Sequence, residues 1–340
     1  MNKDPCISVI ILANYQFGKE LSIQILKSLA DQNFSDYEII LILWGKINHI
    51  IYSKIFKEHN INLEKFSIWS SRKNLGFTYG NNLGVKLAKG KFILIINPDV
   101  ELEPDYLKKM MDSFLYIKSL KKTDKIIIGP RIYRIGSTKG ISKIDINFLG
   151  FSKLNFKKTN KIRRTMIISG CSFLMKKKYF QELGGFDTSY FMYHDDTEFS
   201  NRSTKIGIKH YVDNSIHLRH LRSVKAHKMN KFKFFWWERN RLKFTMENST
   251  KKLKIFICQL LMEPFIYIYA IKNGFLIEKL KISKFIFQNL KGILSKKTKG
   301  KKFFENYYNI DGILDEVGLN SFVFLILNFF VRCLFLFYHK

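Results

Sequence analysis

Cysteine is sparse in this chain, and its spacing is uninformative for a metal. Cys6, Cys171, Cys258 and Cys333 stand far apart and form no C-x-x-C pair, which argues against a zinc site or a disulfide framework and suits a reducing compartment. No secretory segment opens the sequence. Residues 1–6 are polar and the first apolar run, from Ile7, is strand-sized, so a cytoplasmic location is expected. Acids are also few: 28 Asp and Glu face 58 Lys and Arg, a formal charge of +30. Such a charge suits anionic lipid, nucleic acid or a phosphorylated ligand. With no zinc-ligand spacing, RNA-recognition signature or compact basic helix, nucleic acid is not expected as a partner; a membrane surface or a phosphate is. Hydrophobic residues make up 46% of the chain, which excludes wholesale disorder. A length of 340 residues holds one large α/β domain and an appendage.

Short apolar runs that end in polar turns are plentiful. In Phe92-Ile93-Leu94-Ile95-Ile96-Asn97-Pro98-Asp99, five apolar residues run into a carboxylate, the pattern of a buried parallel strand with an acid at its carboxyl end. Ligands of open α/β sheets sit at that end, so Asp99 is either a ligand contact or a turn residue. Further strands are expected at 7–13, 38–43, 66–69, 126–129 and 166–175. Helices are expected on the stripe Leu21, Ile25, Leu29, around Ile50 to Phe56, at 82–89, and after Pro104 with Leu107, Met111, Phe114 and Leu115 on one face. Strand and helix in alternation predict a doubly wound α/β sheet. Residues 136–165 are polar and aperiodic and read as a long excursion over the site.

Five motifs in order then resemble the inverting family-2 glycosyltransferases of the GT-A fold, in particular their rhamnosyltransferase-like branch. They are Asn74-Leu75-Gly76-Phe77 with Gly80-Asn81-Asn82-Leu83-Gly84; Asn97-Pro98-Asp99; Ser169-Gly170-Cys171-Ser172-Phe173-Leu174; Gly184-Gly185-Phe186-Asp187 with Phe191-Met192-Tyr193-His194-Asp195-Asp196-Thr197-Glu198; and Arg239-Asn240. The likeness spans about residues 5–245. It implies a GT-A sheet and a nucleotide-sugar donor contacted by Asn74, Gly76, Asn81, Asn97 and Asp99. It also implies Mg²⁺ or Mn²⁺ on Asp99 with His217, Asp196 as general base, and Asp195, Tyr193 and Gly185 on the acceptor side. His220 competes with His217.

The chemistry behind those roles is general. A diphosphate leaving group needs a cation to take up charge, and a hard divalent ion is content with few protein oxygens. Inversion needs a base on the opposite face of the sugar, worth on the order of 10²–10⁴ in rate. Asp195 and Asp196 on a helix point about 100° apart, so one faces the acceptor while Asp195 or Glu198 pairs with Arg202 or caps the helix. Gly76, Gly80 and Gly84 serve positive φ and close approach or, equally, tight helix packing. One departure stands out: where the family has D-N-G-S after its second strand, this chain has Leu43-Trp44-Gly45-Lys46, and Trp44 is left to stack on a base.

Beyond residue 248 the chain becomes apolar and Lys-rich. The expected domains are 1–248, catalytic, and 249–340, a helical membrane-associating appendage. The run 255–271 is mostly apolar, but Lys252, Gln259 and Glu263, at i, i+7 and i+11, form one polar stripe; Ser321, Asn328 and Arg332 repeat the offsets in 321–338. For the last segment, a helix that lies in the membrane plane and keeps such a stripe wet, or one buried against a partner, is expected ahead of a true span or packing against the catalytic domain. The expectation is an inverting glycosyltransferase at the cytoplasmic face of the cell membrane, acting on a lipid-linked or growing saccharide. The alternative is a catalytically inactive relative that binds glycan or partners in a membrane complex.

Overall fold

The computed structural model describes residues 4–45, 65–221 and 229–296, with Phe330, Cys333 and Leu334 near the end. The helix expected around Ile50 to Phe56, and most of 321–338, lie outside the described residues. The chain gathers into two compact units. The first comprises 1–143, 156–191 and 195–227, and the second 144–155, 192–194 and 228–340.

The first unit opens with β1 (Ile7–Asn14), α1 (Tyr15–Ala30), β2 (Tyr37–Trp44), β3 (Phe66–Ser71), α2 (Gly76–Leu87), β4 (Phe92–Ile96), β5 (Val100–Leu102), α3 (Tyr106–Lys121) and β6 (Ile126–Arg134). The continuous apolar runs form the strands that are covered on both faces: every residue of β2 and β4 is buried. β1 pairs in parallel with β2 and β4, and β2 with β3. After β7 (Gly140–Ile141), β8 (Lys143–Ile146), β9 (Ser152–Asn155) and β10 (Ile162–Arg164), the chain returns as β11 (Ser172–Lys176), α4 (Lys177–Glu182), α5 (Asp195–Lys205) and β12 (Lys209–His220). β11 inserts antiparallel between β4 and β6, giving the order β10-β12-β6-β11-β4-β1-β2-β3. The sheet is therefore parallel through β4-β1-β2-β3, with β11 antiparallel beside β4.

Several elements differ from expectation. α2 begins at Gly76, six residues before the expected helix, because its glycines seat the helix on the sheet instead of breaking it. A Cβ on Gly80 would lie 2.5 Å from Leu12 Cδ1, and one on Gly84 2.4 Å from Ile10 Cγ2. β11 starts at Ser172, and residues 166–171 form a turn that matters below. In α3 the buried face is Leu107, Met110, Met111, Phe114 and Ile117, while Leu115 is exposed. The excursion at 136–165 carries strands, and its middle, 144–155, belongs to the second unit.

In the second unit, β8 and β9 form a small sheet, and three helices follow: α6 (Lys231–Asn248), α7 (Lys252–Lys272) and α8 (Leu276–Ser295). The boundary expected at residue 248 is thereby corrected, since α6 belongs with α7 and α8. Buried charges explain why. Glu238 on α6 meets Arg241 at 2.7 Å and Lys279 of α8 at 3.1 Å, and Lys279 meets Glu263 of α7 at 2.8 Å. Arg241 also donates to Gln259 Oε1 at 2.8 Å and to the Leu149 carbonyl at 2.6 Å. Burial by itself would raise the Glu238 carboxyl, but Arg241 and Lys279 outweigh it and hold it down at about 2.

This network turns the polar stripe of α7 inward. Gln259 and Glu263 face inward and Lys252 caps α6 through the Met246 and Glu247 carbonyls. Leu253, Leu260, Leu261, Ile268 and Ile271 are exposed. Among the described residues α7 is the one helix long and apolar enough to cross a membrane. Of the last apolar segment, the Phe330 ring lies 5.4 Å from Phe265, and the Leu334 carbonyl is 3.8 Å from Cys258 Sγ.

Candidate active site

β4 ends at Ile96 and hands the chain to Asn97-Pro98-Asp99, as the apolar run requires. Asp99 is only 3% exposed. Beyond it β5 pairs antiparallel with the end of β12, Val100 opposite His220 and Leu102 opposite Leu218, and the Leu221 amide donates to the Asp99 carbonyl at 2.7 Å. That register decides between the two histidines. His220 Nε2 lies 3.6 Å from Asp99 Oδ1. His217, three residues away and so on the other face of the strand, is turned to Glu103 at 3.8 Å and to the Tyr133 ring at 5.2 Å. Assigning His217 beside Asp99 is therefore corrected to His220. Among the described residues no three His, Cys, Asp or Glu side chains converge. Asp99 and His220 form a two-residue donor set, which suits a hard cation that takes its remaining ligands from phosphate and water.

The second carboxylate, Asp196, stands in the first turn of α5. α5 is fixed from below by an aromatic cluster: Phe199 lies 4.8 Å from Phe186, 5.3 Å from Phe180 and 5.9 Å from Phe173 between ring centroids. On its flank Glu198 pairs with Arg202 at 2.5 Å, and Arg202 donates on to the Leu183 and Gly185 carbonyls. Of the two acids offered for Arg202, Glu198 takes the role; Asp195 is buried. Asp196 accepts from the Gly170 amide at 3.2 Å and the Thr197 amide at 2.8 Å. Burial raises its carboxyl pKa, and those hydrogen bonds oppose the shift without cancelling it.

The turn before β11 links the two acids. Gly170 donates its amide to Asp196, while the next residue, Cys171, accepts from the Asn97 amide at 2.9 Å. A Cβ on Gly170 would stand 3.6 Å from Asp196 Cβ. Burial, reinforced by the Asp99 charge, pushes the Cys171 thiol well up, so Cys171 is a neutral packing residue.

Other expected contacts hold the scaffold. Asn74 Oδ1 accepts from the Gly76 amide at 2.9 Å, and Gly76 has φ +89° with no room for a Cβ against Phe191. Asn81 is 1% exposed, its Nδ2 on the Phe77 carbonyl at 2.9 Å within α2. Gly185, expected on the acceptor side, has φ +74° and lies where a Cβ would meet Asn82 Oδ1 at 2.5 Å. Asn82 there exchanges two bonds of 2.8 Å with the Phe186 backbone. Trp44 is 3% exposed, edge-on to Trp69 at 5.8 Å. It offers no open face for a base, whereas neighbouring Tyr79 is 43% exposed. Tyr193 falls in the second unit, with φ 61°.

Residues 9–184 match glycosyl transferase family 2, just over half of the chain. The chain belongs to glycosyl transferase family 2. The rhamnosyltransferase WbbL of Escherichia coli K12 is 26% identical over 165 residues, 43% of this chain and 61% of that protein. The uncharacterized glycosyltransferase MJ1057 of Methanocaldococcus jannaschii is 25% identical over 183 residues, 53% of this chain and 60% of its own length. The match thus spans about three-fifths of each relative. A crystal structure of GalNAc-T7 with UDP, GalNAc and Mn²⁺ superposes with a TM-score of 0.59 at 12% identity, over 87% of this chain and 59% of that one. The fold is GT-A with a helical C-terminal region. Within that family-2 frame, sequence reading missed the Gly170 amide as the group that holds Asp196, although the glycine of Ser169-Gly170-Cys171 was its visible signal.

Proposed function

We propose that the chain is an inverting nucleotide-sugar glycosyltransferase with Asp196 as general base. The observation that carries this is the Gly170-Cys171 turn, which bonds to Asp196 on one side and to the Asn97–Asp99 turn on the other. Asp196 takes the proton of an acceptor hydroxyl as that oxygen attacks the anomeric carbon and the bond from that carbon to the diphosphate oxygen breaks. Its raised pKa makes it a better proton acceptor than an ordinary carboxylate, and two backbone amides keep it aimed. Asp99 and His220 are the residues to hold Mg²⁺ or Mn²⁺, which when bound neutralises charge on the departing diphosphate. The UDP and Mn²⁺ in the GalNAc-T7 structure support a metal-assisted nucleotide donor, and the likeness to a rhamnosyltransferase supports a rhamnosyl or hexosyl group. A saccharide or lipid-linked acceptor and a place at the cytoplasmic membrane face complete the proposal, supported by the outward apolar face of α7 and the +30 charge.

The buried Trp44 in place of an acid favours a second reading, a binding protein that has lost its donor site. Thermal shifts with UDP and dTDP, with and without Mn²⁺, separate the two. The enzyme reading expects a Mn²⁺-dependent rise that His220→Ala abolishes and His217→Ala keeps. Absence of any nucleotide-dependent shift in the wild type would leave the binding reading standing.

A further inference from the structure

The four residues ahead of α5 carry an unusual backbone. Phe191, Tyr193 and His194 have φ of 56°, 61° and 56°, a region that non-glycine residues rarely occupy and hold only where their surroundings impose it. On the upstream side, the Phe191 carbonyl accepts from the Phe77 and Thr78 amides at 2.7 and 3.2 Å, at the start of α2. The middle of the turn, 192–194, is gripped within the second unit by one face of α6. Asn240, with no exposed surface, donates from Nδ2 to the Met192 and Tyr193 carbonyls, each at 2.9 Å. Arg239 Nη1 donates to Asn240 Oδ1 at 2.7 Å, which fixes the amide so that its hydrogens face the turn. Arg239 itself is lodged over the Phe285 ring of α8 at 4.1 Å. The His194 ring lies 6.1 Å from Trp237 and 6.5 Å from Phe244; burial, then the Arg241 charge, holds it neutral, at about 3. Trp237, Asn240 and Phe244 are spaced i, i+3, i+7 on α6, a single stripe.

We propose that Asn240 is a positioning residue for the general base: by holding the Met192 and Tyr193 carbonyls it keeps the left-handed turn that leads directly into Asp195 and Asp196. This rests on the glycosyltransferase reading and extends it, because it assigns Asn240 a part in setting the backbone that enters α5. A reacting group displaced by about 1 Å can lose roughly 10²-fold in rate with little change in donor binding. The pair Arg239-Asn240 then acts as one device, with Arg239 orienting the amide and Asn240 orienting the turn.

The test uses the full chain and three variants. Asn240→Ala removes the amide, Asn240→Asp keeps its shape but loses both donors, and Gln259→Leu disturbs α6–α7 packing without touching the turn. Amide exchange is read in peptides covering 191–197 and Gly170, and UDP or dTDP release is read from a panel of nucleotide sugars. The expectation for Asn240→Ala and Asn240→Asp is faster exchange at both places, kcat lowered at least about tenfold and KM for the donor within about twofold. Gln259→Leu should lower the melting temperature comparably and leave kcat within about twofold of the wild type. Wild-type exchange and kcat in Asn240→Asp would overturn the proposal, as would an equal kcat loss in Gln259→Leu. A wild-type protein that turns over no nucleotide sugar defeats the glycosyltransferase reading alone, since exchange at Gly170 still reports whether Asn240 holds Asp196 in place.

Discussion

Asp196 ionises against its surroundings, and that has a sign. Its folded pKa lies above the value of an unfolded carboxyl, about 3.9. Between those two values the folded state holds the extra proton, so stability falls as pH rises through the window and stays lowered above it. Asp196→Asn removes the cost of burying a charge. It keeps an oxygen for one of the two amides that Asp196 accepts from, Gly170 or Thr197, at the loss of the other hydrogen bond, and it leaves no proton acceptor. The expected outcome is a variant that melts higher than the wild type at pH 7, with the gap narrowing as the pH approaches 4, and whose turnover falls at least about 10²-fold. Paired melting curves and nucleotide-release assays check it; a lower melting temperature at pH 7 would contradict the burial argument. At this scale the sequence announced Asp99 and Asp196 through their motifs. It did not announce His220 over His217, because that choice depends on the pairing of β5 with β12, a contact between residues more than a hundred apart in the chain.

Glycine has two jobs within α2, and spacing alone did not separate them. Gly76 adopts φ +89° where the chain enters the helix, whereas Gly80 and Gly84 let the helix lie directly on β1. Both readings had been open, because a four-residue glycine spacing marks one helix face without saying what that face meets. The strand run of β4 was legible since its pattern is local; the start of α2 was not, since the reason for its glycines lies in Leu12 and Ile10 of another element. Gly84→Ala places a methyl 2.4 Å from Ile10 Cγ2 in the core and should destabilise by about 1–3 kcal/mol. Gly292→Ala, in α8 with nothing within 4 Å of the new methyl, should instead stabilise by about 0.5–1 kcal/mol. Denaturant titrations of the two variants give opposite shifts in midpoint if packing, rather than helix propensity, governs α2.

Across the whole molecule, the charge and the apolar C-terminal run were plain in the sequence, but their arrangement was not. The polar stripe of α7 suited a wet or a partner-covered side equally in the sequence; it is a buried side, because Gln259 and Glu263 complete a charge network whose other members are Glu238 and Arg241 of α6 and Lys279 of α8. The apolar side that remains, Leu253, Leu260, Leu261, Ile268 and Ile271, suits lipid, and the flanking lysines Lys251, Lys254 and Lys272 suit anionic headgroups. Cutting the chain after Asn248 is a poor test, since it strips Lys279 and Gln259 from the Glu238–Arg241 pair of α6 and uncovers the face on which that pair is buried. The better test keeps the chain whole and changes Leu260 and Ile268 together to Glu. Wild-type protein should sediment with vesicles rich in anionic lipid and lose only part of that binding at 1 M salt, where the Debye length shrinks to about 3 Å. The double variant should retain its melting temperature, bind far less, and lose what binding it keeps in salt, because only the lysines then act. If the double variant sediments as the wild type does, or if salt alone strips the wild type completely, the apolar face of α7 does not enter the bilayer.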